Sequence, residues 1–339
     1  MSTKTINIGV IGAGRIGKIH AENLATRIPG ARLAGVADVN LAAAQEVAGR
    51  FHVPLATADY QQLLDAPGIQ AIAICSATDT HAQIIQDAAA RGKHIFCEKP
   101  IDLDLQRIQQ ALDAVTEAGV KFQVGFNRRF DPSFAKAREL VVAGKIGTPH
   151  LVRITSRDPA PPPLAYVKVS GGIFLDMTIH DFDMVRFLSG SEAIEVFAVG
   201  NALVDPEIGR AGDVDTCVVT MRLENGALAT IDNSRQAVYG YDQRVEVFGS
   251  AGMVAVSNRT PDSHVLLDAN DASSAKPQYF FLERYQEAYV AELQQFLDCI
   301  LKDRSPAVGG MDGLMAVLLG LAAKKSLQEN RPVKVREIY

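Results

Sequence analysis

Three side chains have the residue types and spacing for acid–base and charge-stabilising chemistry, and Lys99 is the first of them. It lies in Glu98-Lys99-Pro100, where the following proline disfavours helical geometry at the lysine and makes a flexible ammonium group directional. A cis peptide bond before Pro100 would direct the side chain more sharply still. A fixed ammonium group can donate a hydrogen bond to a reacting oxygen and stabilise negative charge on it. The alternative is a surface lysine in a turn.

Asp176 and His180 are the other two, and they are four residues apart. On a helix this spacing places them on one face, and Asp183 falls on the same stripe of an otherwise apolar segment. Histidine titrates near neutrality and can take an alcohol proton as hydride leaves the carbon. Asp176 could hold the substrate or raise the basicity of the imidazole. A structural Asp–His pair is the alternative. A metal site lacks an obvious third ligand nearby, so no metal is expected.

A glycine pattern near the start of the chain predicts dinucleotide binding. It is preceded by a buried apolar run and followed by helical spacing, as in a strand–turn–helix unit. The first glycine permits the tight turn, the second lets the backbone approach a pyrophosphate, and the third lets helix and strand pack closely. The helix N-terminus then faces the phosphates. The residues of this pattern are Gly12, Ala13, Gly14, Arg15, Ile16 and Gly17.

Asp38 ends the second predicted strand, about 20 residues after the glycine pattern. A carboxylate there can accept hydrogen bonds from the adenosine ribose hydroxyls and would repel a 2′-phosphate. Val39 and Asn40 follow, and neither supplies the cation that NADP would need. The sequence therefore favours NAD. The alternative is that Asp38 is a turn or cap residue ahead of the next helix.

Further cofactor contacts are expected after the next strands, because ligands bind at the carboxyl ends of strands in open α/β sheets. Thr78 or Thr80 could instead cap the helix that begins near His81, and His81 could be a neighbour of that cap or a cofactor contact. The predicted contacts are Ser76, Ala77, Thr78, Glu98 and Lys99.

Substrate contacts are predicted at Lys99, Asp176 and His180 and at four weaker positions. For the Asn127-Arg128-Arg129 segment, a salt bridge across the domain junction is the alternative. For the Tyr239-Gly240-Tyr241-Asp242 segment, it is an ordinary turn. The four weaker positions are Asn127, Arg129, Asp158 and Tyr241.

The elements that must position these residues are of two kinds. Up to residue 126, short apolar runs alternate with helical patterns, which predicts a doubly wound parallel sheet of the Rossmann type. Residues 1–126 are the predicted NAD-binding domain and 127–339 the substrate-binding and oligomerisation domain. The predicted strands are 6–11, 32–37, 71–75, 94–97 and 122–125, and the predicted helices are 16–28, 41–51, around 81–91, and 103–118.

After about residue 150 the pattern becomes strand-rich. Asn225-Gly226 is a strong hairpin signal between two of these strands. Short turns of this kind predict an α+β domain with a large, open, mostly antiparallel sheet whose free face could pack on another subunit. The predicted strands are 193–199, 215–223, 227–232, 244–248 and 253–256, with helices at 132–143, 284–301 and 311–329.

The composition narrows the class of protein. The chain has 339 residues, 47% of them hydrophobic, and a net charge of −5. A negative net charge argues against nucleic acid as the main partner. No apolar stretch of about 20 residues is present, so no membrane partner is expected. The four cysteines form no CxxC pair and are expected to be buried thiols, and no signal peptide is visible, so a cytoplasmic location is predicted.

The order of these motifs resembles the glucose–fructose oxidoreductase/inositol dehydrogenase/rhizopine catabolism (Gfo/Idh/MocA) superfamily. The resemblance rests on residues 12–17, Asp38, Glu98-Lys99-Pro100 and 171–183, and covers essentially the whole chain. Residues 156–159, 171–181 and 239–242 are similar to those of its myo-inositol 2-dehydrogenases. The resemblance implies a Rossmann domain, a C-terminal open-sheet domain, a homotetramer formed through those sheets, and Lys99, Asp176 and His180 as the catalytic trio.

The expected function is therefore NAD-dependent oxidation of a cyclic polyol, with myo-inositol going to its 2-keto form. Rival substrates on the same scaffold are scyllo-inositol and an aldose or anhydro-sugar. A rival of another class is an NAD-bound sensor or regulator without catalysis, which the joint presence of Lys99, Asp176 and His180 disfavours.

Overall fold

The computed structural model describes residues 5–339, and they form two compact units. The first unit combines the chain up to Phe130 with Glu287–Met315, and the second combines Asp131–Gln286 with Ala316–Tyr339. This division differs from the contiguous boundary predicted at 126/127, because a late segment of the chain belongs to the first unit.

The first unit contains a six-stranded sheet in the order β3-β2-β1-β4-β5-β6, and its paired strands are all parallel. This is the strand order of dinucleotide-binding doubly wound folds, as predicted. Its strands are β1 Ile6–Ile11, β2 Ala31–Ala37, β3 Leu55–Thr57, β4 Ala71–Ile74, β5 His94–Glu98 and β6 Phe122–Gly125. Its early helices are α1 Arg15–Thr26, α2 Leu41–Phe51, α3 Gln61–Asp65, α4 Thr78–Ala90 and α5 Leu105–Ala118.

The core of the first unit includes a helix from the end of the chain. All four residues of β4 are buried, as expected for a strand covered on both faces. Leu293, Phe296 and Leu297 lie in the same apolar cluster as Val10 and Phe96. They belong to the helix Gln286–Lys302. The hydrophobic pattern of this helix predicts a buried face but does not say which sheet will bury it.

The second unit contains a seven-stranded sheet in the order β12-β11-β7-β10-β9-β8-β15. Among the described strands β7 and β10 pair in parallel, and the other neighbours are antiparallel, as predicted. The strands are β7 Pro149–Arg157, β8 Ala193–Asn201, β9 Thr216–Leu223, β10 Leu228–Ser234, β11 Asp242–Gly249, β12 Gly252–Val256 and β15 Val333–Lys334, and a separate hairpin joins β13 Val265–Leu267 to β14 Ala272–Ser274. Its helices are α6 Pro132–Val142, α7 Leu164–Val167, α8 Ile173–Asp176, α9 Ile179–Ser189, α10 Pro206–Arg210 and α11 Phe281–Arg284. Of the two last helices, α12 Gln286–Lys302 belongs to the first unit from Glu287 onward, and α13 Gly310–Glu329 belongs to the first unit up to Met315 and to the second from Ala316.

One face of this second sheet is covered and the other is open. Side chains along β9 alternate between buried and exposed, the period of a strand with one solvated face. On the covered face α9 packs on β7, and Ser326 of α13 accepts a hydrogen bond from the Ala198 amide of β8 at 3.0 Å. On the open face Val199 and Val218 are register partners, and both are more than two-fifths exposed.

Two general properties of the chain follow from these elements. None of the helices described in residues 5–339 has the length and apolar character that a membrane crossing requires. The cysteines are unpaired and buried, and burial raises the pKa of Cys75 well above its usual value. The prediction of small buried thiols is confirmed.

Candidate active site

Close backbone packing requires glycine at two positions of the loop between β1 and α1. Gly12 has a φ of +99°, and a Cβ on it would lie 2.5 Å from the carbonyl group of Cys75. A Cβ on Gly17 would lie 1.9 Å from the Gly12 oxygen. A side chain at Gly12 would therefore clash with the backbone that follows β4, and one at Gly17 would push α1 away from the glycine loop.

Gly14 has a different role in the same loop. A Cβ there would meet nothing within 4 Å, so its neighbourhood is open to a ligand. Gly14 is also the N-cap of α1 and provides no side-chain hydrogen bond to the first turn. Open backbone at an uncapped helix N-terminus is suited to a pyrophosphate.

The Asp38 carboxylate ties the end of β2 to this loop. Its Oδ2 accepts a hydrogen bond from the Ala13 amide at 2.6 Å, and its Oδ1 accepts one from the Asn40 amide at 2.8 Å. The turn role considered as an alternative is thus observed. Binding of a ribose at Asp38 stays a prediction. Val39 is 95% exposed and provides no cation for a 2′-phosphate.

The loop that follows β4 is held by its own hydroxyl groups. The Ser76 Oγ lies 2.7 Å from the Thr80 Oγ1, which donates a hydrogen bond to the Ala77 carbonyl at 2.7 Å. The N-cap of α4 is Ala77, so the interpretation of Thr78 as the cap is wrong. Thr78 is instead the first helical residue.

His81 links this loop to the segment that carries Lys99. Its ring is buried, with Nδ1 2.8 Å from the Pro100 carbonyl and Nε2 3.1 Å from the Ser76 carbonyl. Burial lowers the pKa of His81, although both carbonyl contacts oppose this shift. We therefore assign His81 a structural role between two loops, which sequence reasoning left open.

Lys99 directly follows β5 and is half-buried. Its peptide bond to Pro100 is cis. On one side of it His81 contacts the Pro100 carbonyl. On the other, the Glu98 Oε1 lies 2.7 Å from the His20 Nε2. The residue that bears the candidate catalytic ammonium is thus fixed by side-chain contacts to both of its neighbours.

In the second unit, the segment that carries Asp176 and His180 is not one continuous helix. Asp176 ends α8, and His180 is the second residue of α9. The interpretation of a shared helix face is therefore wrong in this detail. The Thr178 amide donates to the Ile173 carbonyl five residues back at 2.9 Å, which interrupts the α-helical hydrogen-bond register.

A buried polar network causes this interruption and fixes it in place. The Thr178 hydroxyl donates to the Asn233 Oδ1 of β10 at 2.6 Å. The same amide side chain donates to the Asp181 carboxylate at 2.9 Å. All three residues are at most 1% exposed, and buried hydrogen bonds of this kind are costly to break. The network holds the backbone between Asp176 and His180 against β10.

Asp176 itself is held by two donors. The Tyr166 hydroxyl donates to its Oδ1 at 2.9 Å, and the Arg235 Nη1 donates to its Oδ2 at 3.1 Å. Arg235 is 1% exposed, and its Nε and Nη2 have no hydrogen-bond partner among residues 5–339. A buried guanidinium with two remaining donors beside a carboxylate is an expected feature of a polar binding site.

Sequence reasoning missed both Arg235 and Tyr166. The signal for Arg235 was a cation directly after a predicted strand and four residues before Tyr239. Tyr166 lies in the Pro-rich region, where the sequence provides no periodicity that predicts its direction.

The weaker substrate candidates have mixed surroundings. Asn127 is buried in the 3-10 helix Asn127–Phe130. The Arg129 guanidinium is 2.8 Å from the Asp312 carboxylate. Both partners belong to the first unit, so this salt bridge is not the bridge across the domain junction that was considered as an alternative. The Asp158 carbonyl accepts a hydrogen bond from the Ala237 amide at 2.6 Å, which places it beside the turn that bears Arg235.

Tyr241, a predicted substrate contact, is buried. It is 6% exposed, and its ring packs edge-on against Tyr285 at a centroid distance of 6.0 Å. In the same segment the Tyr239 hydroxyl donates to Asp242 at 2.6 Å. The role of Tyr241 in substrate binding stays a prediction.

A parallel sheet with a glycine loop at β1, a carboxylate at β2 and a lysine after β5 defines the first unit as a dinucleotide domain of the oxidoreductase type. Two family models match this chain. Residues 6–126 match the oxidoreductase family with an NAD-binding Rossmann fold, and residues 134–255 match the GFO/IDH/MocA C-terminal domain. The chain belongs to the Gfo/Idh/MocA oxidoreductase family, and the resemblance seen in the sequence is confirmed.

Similar proteins match this chain over nearly its whole length. The myo-inositol 2-dehydrogenase of Thermotoga maritima is 51% identical, over 98% of this chain and 99% of its own. The inositol 2-dehydrogenase of Rhizobium meliloti is 47% identical, over 98% and 99%. A solved structure of Lactobacillus casei scyllo-inositol dehydrogenase with bound NAD(H) and scyllo-inositol is 34% identical, with a TM-score of 0.92, over 98% of this chain and 100% of its own.

The burial of His81 predicts a measurable pH dependence of stability. Because the folded state lowers the pKa of His81, the unfolded chain binds its proton first as the pH falls. Stability from this residue is therefore complete above the ordinary histidine pKa and is lost below it, by up to about 1.4 kcal/mol per pH unit. We expect His81→Gln to flatten the pH dependence of the free energy of unfolding between pH values of about 7 and 5, as measured by urea denaturation.

The matched control is His264→Gln at an exposed histidine of the β13–β14 hairpin. It should keep the wild-type slope. A His81→Gln protein with the wild-type slope would contradict the assignment.

Proposed function

We propose that this protein is an NAD-dependent dehydrogenase that oxidises myo-inositol to its 2-keto form. The observation that carries this proposal is the near full-length similarity, at 51% identity, to a protein named myo-inositol 2-dehydrogenase. The chemistry of the residues in both units is consistent with a dinucleotide cofactor and a polyol substrate.

The first unit has the features that NAD requires. Gly12–Gly17 and the uncapped start of α1 would hold the pyrophosphate, with Arg15 and Ile16 in the first turn of that helix, and Asp38 would accept hydrogen bonds from the adenosine ribose. Ser76, Ala77, Thr78, Glu98 and Lys99 follow neighbouring parallel strands and therefore lie along the same sheet edge. When bound, NAD supplies the hydride acceptor.

The residues of this chain then move the proton and hold the substrate. His180 removes the hydroxyl proton as hydride leaves the carbon that bears this hydroxyl group. Lys99 donates a hydrogen bond to the reacting oxygen and stabilises its developing charge. Asp176 orients the substrate and the imidazole, and its own carboxylate is held by Tyr166 and Arg235. Further substrate contacts are assigned to Asn127, Arg129, Asp158 and Tyr241.

Scyllo-inositol is the second candidate substrate, because a protein with a TM-score of 0.92 was solved with it. The test is a steady-state panel of myo-inositol, scyllo-inositol and glucose with both cofactors, followed by NAD(P)H absorbance. We expect the highest kcat/KM for myo-inositol with NAD, and a value for NADP lower by about tenfold or more, because Asp38 would leave the 2′-phosphate without a cation. A higher kcat/KM for scyllo-inositol or glucose would identify that compound as the substrate instead of myo-inositol. The absence of turnover would favour the hypothesis of an NAD-bound sensor.

The role of His180 can be tested by substitution. We expect His180→Ala to lower kcat by about 10²–10⁴-fold, because the general base is lost, with a much smaller change in the Kd for NAD measured by fluorescence titration. His264→Ala, the same exchange at a distant exposed histidine, should keep wild-type turnover. Normal turnover by His180→Ala would rule out the proposed base.

The assembly we propose is a homotetramer formed through the open face of the second sheet. Large apolar side chains on its strands are between 43% and 51% exposed, which is typical of a surface that a partner covers. These residues are Ile194, Val199, Val218, Leu228, Phe248 and Met253.

Charges placed on this face should prevent assembly. We expect the double variant Val199→Lys, Val218→Lys to have a smaller mass than the wild-type protein in sedimentation equilibrium, because its neighbouring strands would bury unpaired ammonium groups. Val142→Lys, at an exposed apolar residue of α6 outside the sheet, is the control. A tetrameric double variant would show that assembly uses another surface.

A cytoplasmic location is part of the same proposal. It is supported by the buried, unpaired cysteines, which are usual in a reducing compartment.

A further inference from the structure

A buried cluster of three titratable side chains lies behind the segment that carries Lys99. His20 is on α1, Glu98 is the last residue of β5, and Glu292 is on α12. One side-chain nitrogen or oxygen of each lies within 4.8 Å of the others. His20 and Glu292 are fully buried, and the Glu98 side chain is 12% exposed. None of the three has a role in the proposed proton and hydride transfer.

Within this cluster Glu98 has the contacts that an ionised carboxylate needs. Its Oε1 lies 2.7 Å from the His20 Nε2. Its carboxyl group also packs on Gly125, where a Cβ would approach it to 3.1 Å. The His20 ring is in turn fixed by edge-on contacts with Phe96 and Tyr289. Of the two glutamates, Glu98 is therefore the one whose carboxylate has a hydrogen-bond partner within the cluster.

Glu292 has no such compensation. Neither of its carboxyl oxygens has a hydrogen-bond partner among residues 5–339, although its backbone carbonyl accepts a hydrogen bond from Gln123 at 2.8 Å. A second carboxylate in this site would be dry, unpaired and beside the charge of Glu98, which is strongly unfavourable. Burial, followed by the charge of Glu98, raises the pKa of Glu292 well above its usual value.

The other titratable groups near Glu292 do not supply a positive charge for it. Burial, followed by the charge of Glu98, raises the pKa of the Cys75 thiol, so the thiol is neutral. The His20 imidazole is already bonded to Glu98. The charge balance of the cluster is thus met when a proton remains on Glu292.

We propose that Glu292 carries a proton in the folded protein and acts as a positioning residue for Lys99. An uncharged carboxyl group at this place lets the Glu98 carboxylate keep its contact with His20. The end of β5, from which Lys99 extends, then stays in register with Gly125 of β6. The positioning part of this inference depends on the proposed function of Lys99, whereas the protonation part does not.

A proton on Glu292 in the folded state means that the folded protein loses stability as the pH rises. In the unfolded chain Glu292 loses its proton at the ordinary pKa of glutamate, whereas in the folded chain it keeps the proton to a higher pH. The folding equilibrium constant should therefore fall as the pH rises above the ordinary glutamate pKa, by up to about tenfold per pH unit. The fall ends at the folded-state pKa of Glu292.

The experiment compares three variants of the full-length protein. Glu292→Gln keeps the uncharged shape and a hydrogen-bond donor, Glu292→Met keeps only the volume, and Glu287→Gln makes the same exchange at an exposed position of the same helix. Each is measured for the pH dependence of urea unfolding, for the infrared carbonyl band of a protonated carboxylic acid at neutral pH, for metal content, and for kcat and KM with NAD and myo-inositol.

We expect the acid band in the wild-type protein and in Glu287→Gln, and its loss in both Glu292 variants. The stability of Glu292→Gln relative to the wild-type protein should be higher at alkaline pH than at acidic pH. Its kcat at neutral pH should stay close to the wild-type value. Glu292→Met should lose kcat by about tenfold or more, with a smaller change in the KM for NAD, because Lys99 is displaced from the reacting oxygen.

Three results would overturn the inference. The first is the absence of the acid band, with unchanged pH dependence in Glu292→Gln. The second is a stoichiometric divalent metal ion that is lost in the Glu292 variants, because the cluster would then hold a cation in place of the proton. The third is equal loss of kcat in Glu292→Gln and Glu292→Met, which would require a charged carboxylate. If the wild-type protein oxidises no polyol, the proposed function fails, but the band and the unfolding data still decide the protonation of Glu292.

Discussion

The parallel alignment of β1, β2, β4 and β5 is the constraint on which the first unit depends. Since these strands run in one direction, the residues after each of them reach the same sheet edge. The ladder of parallel strand pairs sets this alignment, and the start of α1 approaches the glycine loop at Gly17 and Gly12, where a side chain on Gly17 cannot fit. Asp38 and His81 then join neighbouring loops along that edge. A cofactor site is thus obtained from backbone packing first and from side-chain chemistry second.

In the second unit the candidate catalytic residues are positioned by side-chain hydrogen bonds. Its candidate catalytic residues lie at a break between two helices, and the break is stabilised by hydrogen bonds with Asn233, a buried residue of β10. Asp176 receives further donors from Tyr166 and Arg235. The Asp–His segment is thus fixed by polar groups that are distant in sequence, which is the usual way in which a functional site is held rigid.

Sequence patterns predicted those parts of the structure that depend on local chemistry. Apolar runs marked most strands of the parallel sheet, and Asn225-Gly226 marked the turn between β9 and β10, where Gly226 has a φ of +86°. The three-residue strand β3 and the exposed hairpin β13–β14 were missed, because neither is long enough or apolar enough to show a period. The break at Thr178 was missed because its cause, Asn233, lies 55 residues away. The amphipathic pattern of α12 predicted a helix but could not reveal that β1 and β5 would bury it.

The position of α12 also has a consequence for the folding of this protein during its synthesis on the ribosome. The apolar cluster of the first unit remains incomplete until Leu293, Phe296 and Leu297 have been synthesised. The strands of the N-terminal sheet emerge early, but their apolar surface therefore stays partly uncovered while β7–β12 of the second sheet are being translated. Nascent chains of this kind are exposed to aggregation during the delay, so molecular chaperones that shield such surfaces would matter more here than for a domain whose core is contiguous in sequence.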